Sequence, residues 1–270
     1  MNPNQALWEK GDFTQIASFM RESGEGLARS LNVSKQMRVL DLGCGDGTTA
    51  VPLAKLGAQV LGVDIARNLV EAGNRRAKAA GLDQLKIQQG DACQLQGIPD
   101  ASFDLTVSIF GAMFAPKPFE VASEMVRVTK PGGRIVMGNW IPNDPGSFAS
   151  ELLRESMAFM PPPPEGFVSP MLWGVESNVL ERFGKAGIPK ERVQMKKDLY
   201  IFDAPIDAEH FVDVFHRYYG PTMNAFEAAE KSGRGKELEQ KLVALARKHN
   251  KSPNGSTHIE ASFLRVTVTR

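Results

Sequence analysis

From residue 37 to residue 140 the chain repeats one pattern: a short apolar run, a stretch with apolar residues at helical spacing, then another apolar run. The runs fall at 37–42, 58–64, 85–90, 103–109 and 133–140. Each is short and bounded by turn-forming residues, so each reads as a strand. Strands that alternate with helices require a mostly parallel sheet with helices on both faces, because a parallel strand is reached only by a crossover. Two further runs, 192–202 and 261–269, bring the expected total to seven. The last alternates Leu264, Val266 and Val268 against Phe263, Arg265, Thr267 and Thr269.

The intervening segments have readable limits. Thr48 or Thr49 is placed to cap the first helix, which ends near Gly57, and the next, 68–80, stops before Gly81, a residue that tolerates a left-handed exit. Phe119, Ala122 and Val126 line one side of a later helix, with Pro131-Gly132-Gly133 as a stop before the fifth strand. Upstream, Phe13, Ile16, Ala17 and Met20 form a stripe on a predicted helix over 13–31, weakened by Gly24 and Gly26. Downstream, 175–186 reads as a helix and 208–249 as mostly helical, with breaks at Gly220-Pro221 and Gly233-Arg234-Gly235. Between 141 and 175, Pro142, Pro145, Pro161 to Pro164 and Pro170 exclude a central strand. That stretch reads as a lid or substrate wall, or as a plain surface connection.

Charge and cysteine content narrow the partners. With 32 Lys and Arg against 31 Asp and Glu, the net charge of +1 lacks the footprint of a chain that coats nucleic acid or a membrane surface. A small, nearly neutral partner fits better. Cys44 and Cys93 are too few for a disulfide scaffold or a zinc cluster, so no metal and a reducing compartment are expected. Glu9 and Asp12 interrupt the stretch that a signal peptide would need apolar, and no run reaches the roughly 18 apolar residues of a membrane span. A cytoplasmic protein is expected.

The segment VLDLGCGDGT, residues 39–48, carries the most chemistry. Its glycines let the backbone turn tightly at a strand end and let a ligand lie against the chain. A dinucleotide site uses the same strand, turn and helix, but its third glycine would fall at Thr48, and Asp41 and Asp46 flank the loop. Carboxylates repel a pyrophosphate and attract an ammonium. S-adenosylmethionine, with an amino-acid end, a sulfonium and no phosphate, suits such a loop. Asp64 ends the second strand, where an acidic side chain accepts ribose hydroxyls, and Asp91 follows the third. All three strand ends face the side on which open α/β sheets bind ligands.

These residues resemble the class I S-adenosylmethionine-dependent methyltransferases, in the branch that includes quinone and sterol C-methyltransferases and many small-molecule enzymes. The resemblance covers 37–140 and rests on VLDLGCGDG, GVDIA, QGDACQL, FDLTVSIFGAMF and VRVTKPGGRIVMGNW. It implies a Rossmann-like, doubly wound α/β fold of seven strands, mostly parallel, with the last inserted antiparallel beside the fifth and helical and loop insertions on the substrate side. It implies that Asp41, Gly43 and Gly45 hold the methionine part, that Asp64 takes the ribose hydroxyls with Ile65 against the adenine, and that Asp91 and Ala92 meet the adenine amine and ring. Ser108 or Phe110 would border the methyl-bearing sulfur. The chain then divides into an N-terminal helical cap (1–36), a cofactor-binding core (37–140) and a completion of the sheet (141–270), with a proline-rich lid (141–175) and a helical insertion (204–258). No Asn-Pro-Pro-Tyr type motif follows the fourth strand, which disfavours methylation of DNA bases, and there is no cysteine cluster of the arsenic-methylating kind.

The expected activity is therefore methyl transfer to a small organic acceptor by in-line displacement; a non-catalytic S-adenosylmethionine-binding protein and an NAD-dependent oxidoreductase are the alternatives. No catalytic residue is legible. His210 and His216 are candidates for a base, but six residues apart they point to different faces of one helix, and Glu209, Asp213 and His216 read as a solvated side. His249 and His258 rank lower. Phe110, Phe114, Phe159, Phe167 and Trp173 are candidates for an apolar acceptor wall, with Phe114 and Trp173 as the substrate-side choices, and the family's N-terminal segment would bring Trp8 and Phe13 over the cofactor.

Overall fold

The computed structural model describes residues 3–270. Three short helices, α1 (Pro3–Glu9), α2 (Phe13–Ser18) and α3 (Arg21–Ser30), precede β1 (Arg38–Leu42). Then follow α4 (Ala50–Lys55), β2 (Gln59–Asp64), α5 (Arg67–Ala79), β3 (Leu85–Gln89), β4 (Phe103–Ile109), α6 (Pro118–Val128) and β5 (Thr129–Trp140). The remainder comprises α7 (Phe148–Met157), α8 (Glu176–Lys185), β6 (Val193–Ala204), α9 (Ala208–Tyr218), α10 (Gly220–Lys231), α11 (Gly235–His249) and β7 (Thr257–Thr269). The strands form one sheet in the order β3-β2-β1-β4-β5-β7-β6. β1 to β5 are parallel, and β7 lies antiparallel between β5 and β6. The expected seven-stranded α/β architecture is the one observed.

β1 has Val39, Leu40 and Leu42 fully buried, as a strand covered on both faces requires. The chain leaves it for β2 on one side and later returns as β4 on the other, so a crevice opens at the carboxyl ends of β1 and β4.

Several elements differ from their sequence-based reading, each for a physical reason. The helix expected over 13–31 is two helices, because the Phe19 carbonyl accepts the Asp203 N–H at 2.8 Å instead of continuing a helical ladder. Pro131-Gly132-Gly133 does not stop the chain before a strand. It forms an irregularity inside β5, where Phe103 pairs with Thr129 but Leu105 pairs with Arg134, and Gly132 and Gly133 bond to Arg270 at 2.7 and 2.9 Å. The proline-rich segment holds α7, whose Phe148, Leu152 and Leu153 are buried while the prolines lie outside it. β7 begins at Thr257, earlier than expected, because β6 supplies partners as far as Ala204. Among the described residues no helix is long and apolar enough to cross a membrane.

Candidate active site

At the switch point β1 runs into a loop in which Gly43 and Gly45 have φ of +67° and +56°. Gly43 and Cys44 both donate backbone N–H groups to the Val63 carbonyl, at 2.7 and 3.2 Å, which pins the loop to β2. On the other side Gly43 meets Gly111, just past β4. A Cβ on Gly111 would lie 2.2 Å from the Gly43 carbonyl oxygen, so only glycine fits there. Gly111 carries no role in the sequence pattern; its place two residues past the apolar strand β4 is the signal that marks such a residue.

The crevice beneath this loop encloses about 930 Å³, counting its open mouth. Asp41, Gly43, Gly45, Asp64, Ile65, Asp91, Ala92 and Phe110 all line it. Ser108 does not: it is buried, and its hydroxyl accepts the Ala112 N–H at 3.0 Å, so it supports the turn that carries Phe110 and Gly111. Phe110 itself has φ +60°, a conformation costing a side-chain-bearing residue about 1–2 kcal/mol. It is held there by stacking on Trp140, with centroids 3.7 Å apart and planes 3° from parallel, and by its N–H on the Gly138 carbonyl at 2.9 Å.

The carboxylates have three different fates. Asp41 is 1% exposed, and among the described residues its Oδ2 has no hydrogen-bond partner although the residue lines the crevice. Burial, with the nearby Asp64 charge adding to it, pushes the Asp41 carboxyl up to about 8. Asp64 accepts the Gly45 N–H at 2.8 Å and the Ala66 N–H at 2.9 Å, one on each oxygen, with the Ile65 N–H as a further backbone donor, and the residue lines the crevice. Burial raises it also, against those backbone donors. Asp46, expected from the sequence to flank the loop as an attractor of positive charge, is already neutralised. Arg21 from α3 grips both its oxygens, at 2.8 Å for Oδ1, and Arg76 from α5 reaches its carbonyl at 2.6 Å and its Oδ1 at 3.4 Å. These arginines carry no motif in the sequence, because α3 and α5 come together only when the sheet is wound.

The amino-terminal helices close one side of the crevice with Trp8, Phe13 and Met20, and β6 contributes Tyr200. The phenol of Tyr200 is driven up by burial and then by the Asp41 charge. Nothing in the spacing of β6 along the chain announces that contribution.

Other candidates lie elsewhere. Trp173, expected on the substrate side, is 1% exposed and is packed against Phe183 with the Arg182 guanidinium 4.4 Å from its ring; it does not line the crevice. His210 is exposed and bonds to Asp207 at 2.8 Å at the start of α9, and His216 stacks on Phe226 at 3.7 Å. Neither lines the crevice. Phe159 sits under Arg234 and Lys241, and Phe167 is exposed. Phe114 lines a second chamber, which shares Trp8, Phe13, Met20 and Phe110 with the crevice. Among the described residues no group of three or more His, Cys, Asp or Glu is arranged to hold a metal ion.

A family model described as a methyltransferase domain matches residues 40–137, the span that contains the loop and the three strand ends. An uncharacterised protein of Mycobacterium tuberculosis is 30% identical over 247 residues, covering 90% of this chain and 86% of its own length. Demethylmenaquinone methyltransferase of Geobacillus kaustophilus is 40% identical over 115 residues, or 42% of this chain and 49% of that protein. In architecture the chain is similar to phosphoethanolamine N-methyltransferase 2 of Haemonchus contortus, solved with phosphomonomethylethanolamine and S-adenosylhomocysteine. That likeness has a TM-score of 0.63 at 15% identity and covers all of this chain and 60% of that one. Over residues 40–137 the chain belongs to the methyltransferase-domain family, and its fold is that of S-adenosylmethionine-dependent methyltransferases.

Proposed function

We propose that this protein transfers the methyl group of S-adenosylmethionine to a small organic acceptor. The observation that carries the proposal is the unpartnered, buried Asp41 Oδ2 at the floor of the crevice. A buried carboxyl with nothing to accept is costly, and an ammonium group supplies the missing partner. The rest of the lining fits the same molecule: Asp64 has acceptor capacity for ribose hydroxyls, and Ile65, Leu69 and Ala92 offer apolar surface to an adenine ring. A dinucleotide fits poorly, since its phosphates would meet Asp41 and Asp64 while Arg21 and Arg76 are occupied by Asp46.

When bound, S-adenosylmethionine supplies an electrophilic methyl group on a sulfonium. The chain's part is to hold the amino-acid end through Asp41 and the glycine loop, to hold the ribose through Asp64, and to exclude water with Trp8, Phe13 and Phe110. The alternative of a cofactor-binding protein without catalysis calls for a plugged acceptor side. Segment 141–175 contributes no residue to the crevice lining, and α7 supplies Ala149, Leu152 and Leu153 as wall to the adjoining chamber, which favours a catalytic role. Calorimetric titration with S-adenosylhomocysteine is expected to give one site per chain; absence of heat and of thermal stabilisation at saturating ligand would remove the proposal.

A further inference from the structure

Beside the crevice lies the second chamber, about 430 Å³ including its mouth. Thirteen of the described residues line it; eight of these are aromatic, and none is a carboxylate, an imidazole, an ammonium or a guanidinium. Its polar side-chain atoms are confined to the Tyr219 hydroxyl and the indole N–H groups of Trp8 and Trp140. The walls come from the amino-terminal helices, the turn after β4, the end of β5, α7, β6 and the α9–α10 junction. Phe110 and Trp8 face both spaces, so the chamber opens on the crevice at the residues the proposed methyl transfer would use.

We propose that this chamber is the acceptor site and that it takes a neutral, apolar ring compound, with Tyr219 as its polar contact. The inference rests on the methyltransferase reading for its purpose and on the chamber's own lining for its chemistry. A charged acceptor would be stripped of water with no opposite charge among the lining residues, which is strongly unfavourable. A flat ring finds aromatic surface instead, as in small-molecule pockets where a few polar groups set orientation. A quaternary ammonium is the other guest that aromatic walls accept through ring faces. Here, among the described residues, no carboxylate accompanies the rings, so a cation would lose its hydration with ring faces as its sole compensation. The Tyr219 phenol is driven upward by burial, so it remains a donor at neutral pH.

Three probes of one shape separate the possibilities: 2-naphthol, 2-naphthoate and (2-naphthyl)trimethylammonium, each titrated calorimetrically into the protein with and without S-adenosylhomocysteine. The neutral naphthol is expected to bind at least about 100-fold more tightly than either charged analogue. Leu152→Phe and Leu153→Phe, which fill the chamber from α7 without lining the crevice, are each expected to weaken naphthol binding about 10-fold or more and to leave S-adenosylhomocysteine binding unchanged. Tyr219→Phe is expected to weaken naphthol binding by roughly 5-fold, the loss of one hydrogen bond. Equal or tighter binding of a charged probe, or undiminished naphthol binding in both filled variants with unaltered thermal midpoints, would overturn the assignment. Failure of S-adenosylhomocysteine to bind alongside selective naphthol binding would instead remove the methyltransferase reading and leave the chamber's selectivity standing.

Discussion

A single oxygen, Asp41 Oδ2, separates two demands on this chain. Burial and the neighbouring Asp64 charge let the Asp41 carboxyl hold a proton up to about 8. With a cationic ligand present, the ionised form is the useful one. Asp41→Asn is therefore expected to lower affinity for S-adenosylhomocysteine by about 1.5–3 kcal/mol, the worth of a hydrogen bond to a charged group, and to abolish the proton release that calorimetry in buffers of different ionisation enthalpy detects at pH 7. Asp64→Ala is expected to lose about 1–3 kcal/mol of the same affinity. It also strands the Gly45 and Ala66 N–H groups, so its melting point falls as well, which separates it from Asp41→Asn. Gly111→Ala places a Cβ against the Gly43 carbonyl and is expected to cost about 1–3 kcal/mol in denaturant unfolding together with most of the ligand affinity. Asp41, Asp64 and Asp91 were legible in the sequence because an acidic residue at or just past the carboxyl end of an apolar run is a local pattern. Tyr200 and Arg21 were not, because their roles depend on what packs beside them.

Among the elements, α3 and α5 converge on the buried Asp46 through Arg21 and Arg76, and this convergence ties the amino-terminal cap to the glycine loop. A second tie joins the cap to the start of α5, where Glu9 accepts the Arg67 N–H at 3.0 Å and Asn68 donates to the Gly11 carbonyl at 3.1 Å. Arg21→Ala leaves Asp46 with Arg76 and the Thr48 hydroxyl. It is expected to destabilise the chain by about 1–3 kcal/mol and to accelerate amide exchange selectively in α1 to α3, while β1 to β5 keep their protection. Uniform acceleration across the sheet would mean that the cap is not a separate unit. The alternation of strands and helices over 37–140 was readable because period and turn residues are local. The split of the 13–31 segment was not, since it depends on a hydrogen bond from Asp203, far along the chain, and α7 was hidden by the prolines around it.

For the molecule as a whole, the titrating groups oppose one another. Asp41 is raised to about 8, so between about pH 4 and pH 8 the folded chain keeps a proton there that the unfolded chain has lost; Asp64, raised as well, acts in the same direction, and the stability these two contribute falls as pH rises. Other carboxyls act in the opposite direction: the Arg127 guanidinium holds Glu124 low, and Lys197 with Ser262 holds Asp144 low despite its burial. Their stabilisation is present above the ordinary carboxylate range and is lost as pH falls through their lowered values. Denaturant titrations of the cofactor-free protein are expected to show a maximum between about pH 4 and pH 6, with S-adenosylhomocysteine raising the midpoint more at pH 8 than at pH 6. A maximum near pH 8 without ligand would contradict the raised carboxyls. Sequence alone determined the α/β class, the glycine turn and the three acidic strand ends, because each is written in residues a few positions apart. Only the tertiary structure decided which carboxylate stays unpaired, which aromatic residues form a chamber and which are core, since those properties belong to neighbours that the winding of the sheet brings together from distant parts of the chain.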